Sequence, residues 1–581
     1  MAKVYLRTYG GTGELISRAL ILLLMISPTV QEHNFDITNL DFDDATEGNI
    51  TDYSIIDRIL TNYHYLHNLD SKYFARSTIN RSTATDLKKI RYKAYKAADP
   101  SFATLDLSNN SFSINEIFIN NNSETEELIL SVLSPEQIYE SNKNGAYANP
   151  ALNAWIAYPM RSHGYTDNGV SNGIIPKMND VGDMVFYIGS TDGGTANTLL
   201  DPDLMSYCQT QLNGANCTRN AKVFSIRTLP YKRYNTDDNQ KARATADNLI
   251  PQSSGVVANI CSNENDYKNY YKRAGTAPNE KYLLDALVLV GYNVDSFSKL
   301  DDTNEDRTQA HFDNQYHQLH AVEITAATAV FDILNGAINT DPNNNCDRIA
   351  GYNVFNETEA DGDLRITAYN FFAERDVLKI PDRIIAAIKL YAIVSLHLIP
   401  EFNYDKNTTF TKSRRRNEDD YPPVYLQRVF GIKGGRFKHY KPNSNDRNYI
   451  EIEQEVKDIC RYLVDFRDNL KPFVEMIYQA QKCSNYGMVG EKHPLSIVDY
   501  DGLHLLLFKN EVGRVYDSRN ICVSGGFSDD WGFFKEILWK EYNDELLNIS
   551  YISDVRKRST ALLDLIYEIL LDEDDYYTEE D

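Results

Sequence analysis

Cysteine is scarce in this chain, basic residues are outnumbered, and no apolar run is long enough to cross a bilayer. Seven cysteines among 581 residues form no Cys-x-x-Cys pair. Their odd count and wide spacing fit neither a disulfide framework nor a tetrahedral zinc site, so reducing, cytoplasmic surroundings are expected. There are 59 Lys and Arg against 83 Asp and Glu, a formal net charge of −24. That charge repels phosphate backbones and anionic lipid, so no nucleic acid and no membrane surface is expected as a bulk partner. The longest apolar stretch near the start, residues 19–26 (ALILLLMI), follows basic residues as the core of a signal peptide would. It lacks a small-residue cleavage site and is far short of the ~20 residues of a membrane span, so no membrane insertion is expected. Gly-x-Ser-x-Gly, the Walker phosphate loop and His-Glu-x-x-His are missing as well, which argues against acyl hydrolases, P-loop machines and zinc peptidases. His311, His317 and His320 lie close in sequence without a companion cysteine, and no metal site is expected there.

What is present is a globular composition, 42% hydrophobic and 12% aromatic. The length suits about two to four domains of roughly 100–200 residues. Residues 3–9 (KVYLRTY) predict a strand, 10–13 (GGTG) a turn, 14–26 a buried helix, and 35–44 (FDITNLDFDD) a second strand. This βαβ pattern places Gly10, Gly11, Thr12 and Gly13 at the carboxyl edge of a parallel sheet, where backbone amides at a helix start can face a phosphate. Asp41, at the end of the second strand, stands where a ribose-binding carboxylate sits in such folds. Residues 50–145 are polar and helix-leaning. Further strands are expected at 184–189, 222–231 and 283–292, and in the later regions 363–372 and 494–508. Helices are expected at 241–250, 309–336 (ending on Gly336), 382–398, 451–483 and 552–571. A second glycine turn, STDGGTANT (190–198), follows the strand at 184–189.

The order of these pieces resembles the bacterial tubulin-like branch of the tubulin/FtsZ superfamily. A first glycine loop (Gly10, Gly11, Thr12, Gly13) is followed by a signature loop (Gly193, Gly194, Thr195, Ala196, Asn197). A strand then ends in Pro230 and Tyr231, and a helix carries Arg243 and Ala246. Residues 309–336 occupy the place of the family's central helix, and 366–390 look like the strand, proline and helix that open its second domain. The resemblance covers about residues 1–400 and implies a bound guanine nucleotide, GTP or GDP, with Mg²⁺ as an optional companion. It also implies self-association into filaments or docking of a protein partner through the nucleotide face. In this family a neighbouring subunit completes hydrolysis, and Asp341 in INTDP (338–342) holds the matching acidic position. Asn293, after the strand at 283–292, is a candidate nucleotide contact. The signature departs from the family at Asp192, and Ala196 and Asn197 replace its Gly-Ser. With Glu14 directly after the first loop, these carboxylates favour binding over hydrolysis, so GTPase activity is expected to be weak or absent.

The expected architecture is α/β: a Rossmann-like nucleotide domain over 1–305, a central helix and loop over 306–345, an α+β second domain over 346–545 with a basic insertion at 403–448, and a C-terminal helix and acidic tail over 546–581. Two rivals stand beside the nucleotide-binding reading. One is a non-hydrolytic scaffold with the same fold, and the other is a Rossmann dinucleotide-dependent oxidoreductase.

Overall fold

The computed structural model describes residues 3–41, 53–83, 183–191, 193, 195–200, 222–229, 284–291, 321–336, 349–353, 380–399, 447–485, 537–538 and 540–572, with isolated positions at 127, 130, 131, 133–135, 204 and 319. Among the described residues seven strands form a parallel sheet in the order β3-β2-β1-β4-β5-β6-β7. They are β1 (Lys3–Tyr9), β2 (Asn34–Leu40), β3 (Thr78–Thr83), β4 (Met184–Ser190), β5 (Lys222–Thr228), β6 (Ala286–Gly291) and β7 (Ile349–Asn353). The chain builds outward from β1 to one edge, returns to the other side of β1 with β4, and builds outward again. The order therefore reverses between β1 and β4.

In a parallel sheet covered on both faces, strands read as continuous runs rather than strict alternations. Here the two faces differ in chemistry. Val4 and Leu6, with Phe35 and Ile37, Phe186 and Ile188, and Phe224 and Ile226, are all buried on one face in the main core. The opposite face carries Arg7, Thr38, Tyr187, Ser225 and Arg227, each no more than 3% exposed. Arg7 is anchored there by donating to Thr38 Oγ1 at 2.7 Å and to Asp36 Oδ1 at 3.3 Å.

On the apolar face lies α1 (Gly10–Leu24), whose residues from Gly13 onward are all buried. A helix buried around its whole circumference needs neighbours on every side. The sheet supplies one, and α2 (Tyr53–His67), α3 (Ala321–Leu334) and α5 (Arg447–Asn485) supply the rest. Beyond them α4 (Ile380–Ile393, continuing as a π-helical turn to Leu398) packs with α5 and with α7 (Val555–Asp572), and the short α6 (Asn543–Ser550) packs on α7. Among the described residues no helix is long and apolar enough to cross a membrane.

The expected strands at 3–9 and 184–189 are present, and those expected at 222–231 and 283–292 are seen as Lys222–Thr228 and Ala286–Gly291. The opening βαβ unit is present, but its helix runs from Gly10 to Leu24 rather than over 14–26, so Gly10–Gly13 form the first turn of α1 and not a separate turn before it. Of the helix expected over 309–336, α3 is the described part; it ends at Leu334, and Gly336 just beyond it holds φ +75°, the left-handed conformation that favours glycine after a helix end, while residues 309–318 and 320 lie outside the described residues. The helices at 382–398, 451–483 and 552–571 are present with slightly shifted ends. Strands β3 and β7 are additions that the sequence pattern did not announce. The expected strands at 363–372 and 494–508, the helix at 241–250, most of the basic insertion and the tail beyond Asp572 lie outside the described residues.

Candidate functional site

The crevice outside the carboxyl ends of the strands, where the strand order reverses, is the usual ligand position in open α/β sheets. Here that place is between β1 and β4, and each of these strands runs into one of the two glycine turns. Gly10 adopts φ +71°, and a Cβ built on it would lie 3.5 Å from the Cβ of Thr195. Both turns thus converge on one edge and touch. Thr195 Oγ1 donates a 2.8 Å hydrogen bond to Asp41 Oδ1, so the end of β2 joins the same cluster.

Each turn is shaped by close packing. Gly13 is pressed against β1, because a Cβ there would meet the Thr8 carbonyl carbon at 2.9 Å and the Ile188 carbonyl oxygen at 3.2 Å. In the second turn Gly193 N donates to Ser190 Oγ at 2.8 Å, and Thr191 N donates to the Thr228 carbonyl at 2.9 Å. Ala196 begins a π-helical turn, Ala196–Leu200, and is 1% exposed. A Cβ on Gly189 would come within 2.8 Å of the Ala196 methyl. That methyl faces the protein, so any ligand contact from Ala196 comes through its backbone.

The amides that open α1 have no side-chain cap, since Tyr9 makes no capping hydrogen bond. Uncapped amides and the positive end of the helix dipole attract anions. Directly behind the first turn lies a buried polar lattice. Asn39 Nδ2 donates to Thr8 Oγ1 at 2.6 Å and to Ser17 Oγ at 2.9 Å, while its Oδ1 accepts from Arg81 Nε at 3.0 Å. Arg81 also pairs with Asp57. The lattice ties β1, α1, β2 and β3 together under the glycine turn.

Glu14 and Arg18 form an ion pair in which Arg18 Nη2 and Nε lie 2.7 and 2.9 Å from Glu14 Oε1. Both side chains are nearly fully buried. Burial pushes the Glu14 carboxyl above its ordinary value, Arg18 and Arg81 oppose that shift, and the nearby Asp41 charge adds to it. Its second oxygen, Oε2, is buried without a hydrogen-bond partner.

Of the residues expected from sequence, Gly10, Gly11, Thr12, Gly13, Asp41, Gly193, Thr195, Ala196 and Asn197 fall on the two turns or the strand end beside them. Asp41 lies just after β2 and accepts the hydrogen bond from Thr195. Gly194, Asn293 and Asp341 lie outside the described residues, as do Asp192, Pro230 and Tyr231. The sequence pattern missed the lattice centred on Asn39, because Ser17, Asn39 and Arg81 are scattered through the chain and meet only in the fold. Among the described residues no group of three His, Cys, Asp or Glu side chains could hold a metal. Asp41, Glu14 and the Thr195 hydroxyl are hard oxygen donors. They fit Mg²⁺ only in its common mode, with one or two carboxylates and the rest of the shell from phosphate and water. No family model matches the chain, and comparisons with curated proteins and with solved structures find no significant match.

Proposed function

We propose that the chain binds a purine nucleoside phosphate, with a guanine nucleotide as the expected ligand, and that it is a tubulin/FtsZ-like protein that self-associates or docks a partner through that face. The observation that carries this reading is the meeting of two glycine turns at the point of strand reversal, with Gly10 against Thr195. A phosphate chain is longer than one helix start can cradle, and two adjoining amide-rich turns suit it. The strand order supports nucleotide binding in general, since doubly wound sheets of order 3-2-1-4-5-6 take nucleotides at this crevice. The same order also suits a dinucleotide enzyme, and the second glycine turn favours the triphosphate reading over it. Hydrolysis is weak or absent in this proposal, because the carboxylates of Glu14 and Asp41 stand beside the turns. Asp341 is the proposed residue through which a second subunit would act on the ligand.

Purified protein incubated separately with GTP, ATP and NAD tests the reading by bound nucleotide, released phosphate and light scattering. The expected result is retention of GTP, little phosphate release, and scattering that rises with protein concentration. Retention of NAD with no binding of either triphosphate would sink the proposal and favour the oxidoreductase.

A further inference from the structure

The first turn of α1 reads Gly-Gly-Thr-Gly, which has little of its own to hold its amides in one direction, and no side chain caps it. One buried amide beneath it supplies the constraint. Thr8 and Asn39 are register partners on β1 and β2, and Asn39 is 2% exposed. Its Nδ2 donates to Thr8 Oγ1 at 2.6 Å and to Ser17 Oγ at 2.9 Å, and its Oδ1 accepts from Arg81 Nε at 3.0 Å. A guanidinium can only donate, so the Arg81 contact fixes which end of the amide is oxygen and leaves the nitrogen facing the two hydroxyls. Having accepted from Asn39, the Ser17 hydroxyl donates onward to the Gly13 carbonyl at 3.1 Å. Thr8 is itself pressed against Gly13, whose missing Cβ would meet the Thr8 carbonyl carbon at 2.9 Å. A single side chain thereby grips both the strand that enters the turn and the helix that leaves it.

We propose that Asn39 is the positioning residue of this site: acting through Thr8 and Ser17, it fixes the first turn of α1 in the orientation in which the turn's amides receive the ligand's phosphate. The inference rests on the nucleotide reading above and deepens it. A phosphate cradled by backbone amides binds tightly only when those amides already point at it, because ordering them at the moment of binding is subtracted from the affinity. Asn39 supplies that order in advance. Arg81, which also pairs with Asp57 of α2, holds the oxygen end of the amide, so the turn is referenced to β1, β2, β3 and α2 at once.

The test measures affinity for GTP by equilibrium dialysis, with thermal melting alongside, for the unmodified chain, Asn39→Ala, Ser17→Ala, the double variant and Asp564→Ala. Ser17→Ala changes no charge and removes the link between Asn39 and the Gly13 carbonyl, so on its own it carries the test if Asn39→Ala melts too early to be assayed. Asp564→Ala loses the buried hydrogen bonds to Ser71 and Lys72, outside the two turns, and reports what lost stability alone does to binding. Asn39→Ala and Ser17→Ala are each expected to weaken GTP binding about tenfold, the order of one hydrogen bond lost from the support of the turn. The double variant is expected to bind no more weakly than Asn39→Ala, because Ser17 then has nothing to relay. Asp564→Ala is expected to keep the affinity of the unmodified chain. Unchanged affinity in Asn39→Ala and Ser17→Ala overturns the inference while leaving nucleotide binding intact, and so does an equal loss in Asp564→Ala or a double variant in which the two losses simply multiply. Failure of the unmodified chain to bind GTP overturns the nucleotide reading, and the inference with it.

Discussion

Two glycines in the first turn are required for different reasons, and the difference can be measured. Gly10 has room for a methyl group but holds φ +71°, so Gly10→Ala is expected to cost about 1–2 kcal/mol in backbone strain. Gly13 is limited by space alone, since its missing Cβ would fall 2.9 Å from β1. Gly13→Ala is therefore expected to cost about 1–3 kcal/mol as overpacking, read as a lower urea midpoint. A neutral Gly13→Ala would mean that α1 can lift from the sheet. His33 gives a pH-dependent case. Burial lowers its pKa below the ordinary 6.5, so the folded chain binds fewer protons there than the unfolded chain. Its contribution to stability is present above 6.5 and is lost as the pH falls through the lowered value. Replacing His33 with Leu should flatten the melting temperature against pH over that interval, and an unchanged profile would refute the assignment. The glycines were legible in sequence because they punctuate strand ends. Asn39 was not, because its role depends on Thr8, Ser17 and Arg81 arriving from three other elements.

At the level of elements, what could be read follows position in the sheet. The strands β1, β4, β5 and β6 are interior, buried on both faces, and rich in Val, Ile, Leu and Phe, so their sequences stand out. The two strands that escaped notice, β3 (TINRST) and β7 (IAGYN), are the edges of the sheet among the described residues. An edge strand has one ladder instead of two and less apolar surface to cover, so its sequence carries a weaker pattern. Helix α5 crosses Pro472 without ending, because its apolar face, from Ile459 through Ile477, remains buried on both sides of the proline. Helix α7 is tied to the far end of the chain by Asp564, which accepts from the Ser71 hydroxyl and, at 3.0 Å, from Lys72 N. Ser71 Oγ in turn accepts from the amides of Tyr73 and Phe74 at 3.0 and 3.1 Å. Asp564→Ala leaves that turn without its acceptor and is expected to lower stability by about 1–3 kcal/mol in denaturant unfolding. A change within a few tenths of a kcal/mol would show that water replaces the carboxylate at no loss.

For the molecule as a whole, the decisive fact is that, among the described residues, one cluster of buried apolar side chains joins Val4 to Leu570. Tyr567 shows how the ends are joined: its ring packs on Phe74, and its hydroxyl donates to the Arg383 carbonyl at 3.1 Å. Leu562, Leu563, Ile566, Ile569 and Leu570 are buried with it. Each such side chain contributes about 1.5–3 kcal/mol on burial, so together they rival the roughly 5–15 kcal/mol net stability of a typical domain. Ending the chain at Asp554, which removes α7, is therefore expected to abolish cooperative thermal unfolding of the sheet itself. Ending it at Asp572 removes only a segment whose many carboxylates would need counter-charges to be buried, and is expected to leave the melting temperature within a degree or two. Hydrogen exchange distinguishes a shared core from two that merely touch. Amides of β1 and α7 should open with the same free energy and respond together to denaturant. If α7 exchanges at a clearly lower free energy while β1 stays protected, the helix is a docked accessory and the single-core account is wrong.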